Sequence, residues 1–174
     1  MPIDECDRSF GELATEVLPR YMSVLRERMA SPVPLADFAV RGVGLAALQR
    51  RFGLDCDPSG CYVLMESTRP VYVGISRGII KRLRDHVLGS DHMVATLAYR
   101  IAATKHPHGK TATLAMEDLT FRSRFDESRQ YLLGLDTAFV EITNPLELYL
   151  FEAYCAMELD TGFDTGGWNT FRTH

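Results

Sequence analysis

Residues 60–87 read GCYVLMESTRPVYVGISRGIIKRLRDHV, and the fold turns on how this run is parsed. CYVLME and PVYVGI are short apolar runs rich in β-branched and aromatic residues, separated by the polar STR; they read as two strands joined in a hairpin. Gly74, at the end of the second strand, points to close approach of another group to the backbone. Gly78 or Ser76 then caps a helix over 79–88, with Ile79, Ile80, Leu83 and Val87 as its buried stripe. An apolar core accounts for the valines and leucines. It does not account for two tyrosines followed by a helix bearing Lys81, Arg82, Arg84 and His86.

Working outward, residues 91–104 predict a helix, with Asp91 near its start and Met93, Val94, Leu97 and Ile101 on one side. KHPHGK reads as an exposed loop, to which no metal is assigned. Another helical stretch falls within 113–132, and TAFVEIT is a third strand. NPLELYLFEAYCAMEL is a strong helix, with Asn144 as cap and Pro145 at the first helical position. The glycine-rich tail carries Phe163, Trp168 and Phe171, so it is expected to pack on the body. Upstream, residues 9–30 are helical: Ser9 and Glu12 form a capping box, and Pro19 should kink or divide the helix. ASPVPLAD breaks the pattern, which resumes over 42–52. The expected architecture is α+β, with a small three-stranded antiparallel sheet flanked by helices. Residues 1–57 form a helical N-terminal extension to a domain over 58–174, which has a helical insertion around 90–135.

The chain has 174 residues, 46% hydrophobic and 24% charged, enough to bury a sizeable core. No apolar run approaches the ~20 residues that span a bilayer. The acidic, polar start is neither a secretory signal nor a basic transit peptide, so a cytoplasmic address is expected. The four cysteines show no CxxC pair and read as reduced thiols. Net charge is −4, which argues against a nucleic-acid partner until its distribution is considered. Residues 69–110 hold eight Lys/Arg against two acids, whereas 117–164 hold eleven acids against three arginines. One basic face on an acidic body suits a phosphate backbone; a solvated helix face is the plainer reading.

Tyr62 after Gly60 and Cys61, the run Tyr72-Val73-Gly74 ten residues on, and Arg82 and His86 on the following helix together resemble the GIY-YIG nuclease superfamily. Glu152 on the last strong helix matches that family's metal-binding glutamate, and Asn169 its late asparagine. The resemblance covers roughly residues 58–174. Cys61 and Val73 stand where the family has isoleucine, and Gly78 where many members have a helix-capping asparagine.

The resemblance implies a metal-dependent endonuclease that hydrolyses phosphodiester bonds in DNA, with RNA as the lesser option, using one Mg2+ or Mn2+. It implies that Glu152 holds the metal, Tyr62 activates water and Tyr72 assists as a hydrogen-bonding partner. One carboxylate is enough for a magnesium ion that keeps most of its waters. Arg82 and His86, four apart on one helix face, would clamp the phosphate and relay a proton. Arg77, Lys81 and Arg84 are outer phosphate contacts, and Asn169 orients a side chain or caps the tail. Glu152 is expected to face inward from an apolar stretch of helix, with Glu147 and Glu158 at the surface. The competing readings are a catalytically silent nucleic-acid-binding module and a nuclease subunit that needs a protein partner. A homodimer would suit double-strand cutting.

Overall fold

The computed structural model describes residues 3–40 and 42–171. At its centre is the expected hairpin, β2 (Gly60–Glu66) paired antiparallel with β3 (Arg69–Ser76). Their turn is tighter than the three-residue STR, because Arg69 already pairs with Glu66. Ser67 takes the left-handed conformation, φ 58°. Tyr62 lies opposite Gly74 and Leu64 opposite Tyr72, so the two tyrosines are diagonal neighbours on one face.

The sheet has four strands, not three. β4 (Asp136–Glu141) pairs antiparallel with β2 on one side and with the two-residue β1 (Val33–Pro34) on the other, giving the order β1-β4-β2-β3. β1 falls inside the stretch that reads as a break, because a two-residue strand holding a proline has no local signature. Proline is tolerated there because the strand sits at an edge.

Helices cover both faces. On one, α2 (Leu18–Met29) and α8 (Pro145–Glu158) enclose Cys61, Val63, Met65 and Val73 together with Ala138 and Val140 of β4. On the other, α3 (Leu45–Arg51), α4 (Ile79–Leu88), α5 (Thr96–Lys105), α6 (Ala112–Glu117) and α7 (Leu119–Leu133) pack with a 3-10 turn (Leu35–Ala39) over Tyr62, Leu64 and Tyr72. The first 57 residues thus supply an edge strand and part of both covering layers. No helix among the described residues is long and apolar enough to cross a membrane.

Local chemistry explains most helix ends. Ser9 and Glu12 close the capping box at α1 (Phe10–Glu12). A π turn (Leu13–Val17) links α1 to α2 and leaves Pro19 in the first turn of α2. The widened turn accommodates a residue with no N–H to donate. Asn144 caps α8, with Pro145 at its start. The helix expected over 91–104 begins only at Thr96, because the Asp91 carboxylate accepts from the N–H groups of Met93 and Val94 and closes a turn instead. Met93 is exposed. The stretch over 113–132 is two helices, divided at Asp118, whose side chain caps α7.

The tail packs down along the outer edge of β3 as far as Asn169, whereas Phe171, expected to pack as well, is exposed. The Trp168 N–H donates to Val71 O at 2.8 Å. Asn169 then mimics a peptide group: its Oδ1 accepts from Val73 N at 2.7 Å and its Nδ2 donates to Val73 O at 2.8 Å. Thr161 Oγ1 donates to the same Oδ1 at 2.8 Å and fixes the amide. Strand-edge groups that would otherwise be a template for association are satisfied within the chain.

Candidate active site

Three rings meet on the α4 face of the hairpin. Tyr62, from β2, and His86, from α4, are fully buried, at 1% and 0% exposure, and Tyr62 Oη lies 2.7 Å from His86 Nε2. Tyr72 from β3 completes the group, its ring centroid 6.2 Å from each of the other two. Gly74 makes this possible. A Cβ there would fall 2.5 Å from Tyr62 Oη and 2.9 Å from Tyr72 Cε1, so any larger residue would push the phenol off the strand.

The buried rings resist charge. Burial raises the pKa of Tyr62 and Tyr72; the Arg82 guanidinium partly counters this at both, and Arg100 at Tyr72. Burial, reinforced by the same two arginines, holds the His86 pKa well below the usual imidazole range. His86 is therefore neutral at pH 7, with one ring nitrogen free to accept a proton. Its Nδ1 is buried without a partner. A neutral imidazole tied to a phenol through Nε2 takes up a proton here only where negative charge nearby offsets burial and the two arginines.

The more open side carries charge. Arg82 Nη1 donates to Val94 O at 3.1 Å and Nη2 to Thr96 Oγ1 at 2.6 Å, which anchors its fork to the α4–α5 connection. Arg100 is one turn beyond Thr96 on α5, and its Nη1 donates to Trp168 O at 3.3 Å. Glu152 of α8 is half-buried, as its apolar neighbours suggest. Burial raises its pKa and Arg100 opposes the rise; its charge is also felt at Tyr72. Glu147, expected at the surface, is instead buried: it accepts from Tyr21 Oη at 2.7 Å and lies 3.7 Å from Arg8 Nε. A buried carboxylate is tolerated when a hydroxyl and a cation satisfy it. Glu158 is exposed and paired with Arg26.

The other basic residues separate by partner. Lys81 pairs with Asp85 on the surface of α4. Arg84 is half-buried and donates to Val43 O, so its fork is engaged within the fold. Arg77 is exposed. Asn169 is engaged with Val73, between the two β3 positions that face the rings.

Three residues have roles that their position in sequence does not reveal. Arg100 reads as one cation among eight, yet its field reaches Tyr72, His86 and Glu152. Gly78 is the N-cap residue of α4, one of the two expected, but Asp57 supplies the capping carboxylate, accepting from Ile80 N at 2.7 Å and Lys81 N at 2.9 Å. A Cβ at Gly78 would lie 2.8 Å from that carboxylate. Thr161 orients Asn169. The LDCDPSG turn and the spacing of Thr96 and Arg100 are visible signals, but only the fold shows where they point.

Among the described residues, no three His, Cys, Asp or Glu side chains form a ready-made metal cage. A single carboxylate still fits a magnesium-like ion that keeps most of its waters and borrows phosphate oxygens. Glu152 suits that role. It is drawn partly out of water, and Arg100 is the one group that lowers its pKa, with no hydrogen-bond donor contributing. Comparison of the chain with protein-family models, with curated proteins and with solved structures finds no match.

Proposed function

We propose that the chain is a phosphodiesterase, an endonuclease of the GIY-YIG type acting on DNA. The observation that carries this reading is the convergence of Tyr62, Tyr72 and His86 beside Arg82, Arg100 and Glu152. Two phenols, a neutral imidazole, two guanidinium groups and a carboxylate are the groups that hydrolysis of a phosphate diester needs.

Tyr62 takes the proton of the attacking water as it gives its own to His86 Nε2. The anionic phosphate bound beside Arg82 and Arg100 offsets the burial and the arginine charge that otherwise keep the imidazole neutral. Burial opposes a free phenolate, whose ordinary pKa is about 10, so passing the proton onward lets Tyr62 act as a base near neutrality. Tyr72 hydrogen-bonds the water or a phosphate oxygen. Arg82 and Arg100 face the charge that grows on the phosphate, and Arg82, already anchored at Val94 and Thr96, needs little reorganisation to do so. Glu152 would hold a divalent cation, which would supply Lewis-acid polarisation of the phosphate and relief of charge on the leaving oxygen. Arg77 lies on the surface beyond this centre, where it would contact the backbone without reading sequence.

The test is cleavage of supercoiled plasmid with magnesium or manganese, run beside Glu152→Ala and Arg82→Ala. Nicking by the native chain, abolished in both folded variants, supports the reading. A native chain inert with both metals on plasmid and on branched DNA would sink it. Salt-sensitive DNA binding without cleavage would instead indicate a silent binding module.

A further inference from the structure

The two edges of the sheet are treated differently. The tail seals that of β3. On β4, β1 pairs only with Asp136 and Thr137, after which the outer edge continues bare. Parity fixes which groups it presents. Leu135 O accepts from Leu35 N on the β1 side, while Ile142 N donates to Ser59 O on the β2 side. Odd positions of β4 therefore aim their N–H and C=O groups outward. On this outer side Phe139 and Glu141 have no strand opposite them among the described residues, their register partners Tyr62 and Gly60 lying on β2.

This bare edge is the floor of a groove of about 460 Å³. One wall is the exposed stripe Arg20, Val24 and Arg28 of α2 with Tyr21 beside it; the other is Phe52 and Leu54. We propose that the groove takes an extended peptide segment of a partner protein, added as a further strand on β4, with apolar side chains alternating and a carboxylate near each end.

Each element of this occupant follows from the groove. Unpaired strand groups at the floor of a cleft select an extended backbone, because only that shape satisfies donors and acceptors spaced two residues apart. Apolar walls on both sides select side chains pointing alternately to each. Phe139 and Phe52 offer aromatic surface to one set, and Val24 and Tyr21 to the other. Arg20 and Arg28 stand eight residues apart on one helix face, about 12 Å, close to the ~13 Å that four extended residues span. Neither arginine has an acidic partner among the described residues, whereas Arg26, between them, pairs with Glu158. Glu141 is the one acid lining the groove. A second copy of the chain is a poor occupant, since its own β4 edge lies between the same walls and two recessed edges cannot meet.

The experiment is titration of the full isotope-labelled chain, followed by amide NMR, with a blocked pentapeptide carrying glutamate at each end, four residues apart, and valine, threonine and valine between them. Saturable shifts at the Phe139 and Glu141 amides are expected. They should disappear when the peptide is N-methylated on the amides that face β4. Arg28→Glu, at an exposed helix position, should weaken binding about tenfold while leaving the native spectrum unchanged. No shift at those two amides overturns the proposal, as does equal binding of a lysine-ended peptide. Concentration-dependent self-association that protects the same amides would also overturn it, in favour of a second copy. None of these readouts involves DNA cleavage, so the result stands apart from the nuclease reading.

Discussion

Neighbouring residues of one strand face two different worlds here. Cys61 and Val63 look into a core of aliphatic side chains, Phe151 and Cys155, whereas Tyr62 between them looks at Tyr72 and His86. The side chains that surround Cys61 and Val63 on the α8 side form an apolar cluster. The α4 face buries a hydroxyl and an imidazole, leaves His86 Nδ1 without a partner, and brings two arginines close to a histidine whose charging they oppose. Stability alone gives no reason for that arrangement, since apolar residues of the same shape would satisfy the core without unpaired polar atoms. The difference separates an apolar surround from one that buries polar groups, and the chemistry proposed above rests on the second.

The comparison breaks first, if it is wrong, at Phe151. Truncation to Ala on the α8 face should lower unfolding free energy by about 3–5 kcal/mol, read by denaturant titration. Under conditions where the variant is still folded, its turnover should match that of the native chain. Lost turnover in a folded variant would show that the faces are not separate. Arg82→Ala should do the reverse. We expect a fall in cleavage rate of about 10²–10³-fold, as for loss of a group that stabilises transition-state charge, with a destabilisation of only about 1–2 kcal/mol from its lost hydrogen bonds to Val94 and Thr96.

Asn169→Ala sharpens the comparison at the boundary between the faces. It leaves Val73 N–H and C=O without partners at the sealed edge, and should destabilise by about 1–3 kcal/mol. Faster hydrogen exchange at the Val73 amide is the signature that distinguishes loss of the seal from general loosening.

The smallest expected effect is a pH dependence. Above pH 6.5, the ordinary value for imidazole, His86 is neutral in both folded and unfolded chains and contributes no pH slope. As pH falls through that value, the unfolded chain takes up a proton that the folded one refuses. His86 therefore makes folding stability decline on acidification. The groups facing it are Tyr62 and Tyr72 from the strands and Arg82 and Arg100 from the helices, so no carboxylate reverses the sign. In His86→Gln, stability measured from above pH 7 to below pH 6 should fall less steeply than in the native chain. An unchanged slope would place the titration elsewhere.

The hairpin, the α8 helix with its Asn144 cap, the capping box at Ser9 and the disturbance at Pro19 were all legible in sequence, because each depends on residues within a few positions of one another. Tyr62, Tyr72, Arg82 and His86 lie within twenty-five residues on three consecutive elements, but it was the resemblance to a known family's motif that singled them out. β1 was not legible, since its identity as a strand comes wholly from Thr137 and Asp136 across the sheet. The burial of Glu147 was not, because Tyr21 and Arg8 reach it from the far end of the chain.

The sequence by itself determined which residues alternate along β2 and β3, and therefore that two phenols and a cationic helix lie on consecutive elements. Strand register put those phenols on one face, with Gly74 leaving room for Tyr62. Only the tertiary structure decided that the field of Arg100 reaches Glu152, that Asp57 supplies the carboxylate at the α4 cap, and that one sheet edge is sealed while the other is open. Periodicity and capping act over a few residues and leave a local record. Hydrogen bonds and fields between groups tens of residues apart leave none until the chain has closed its loops.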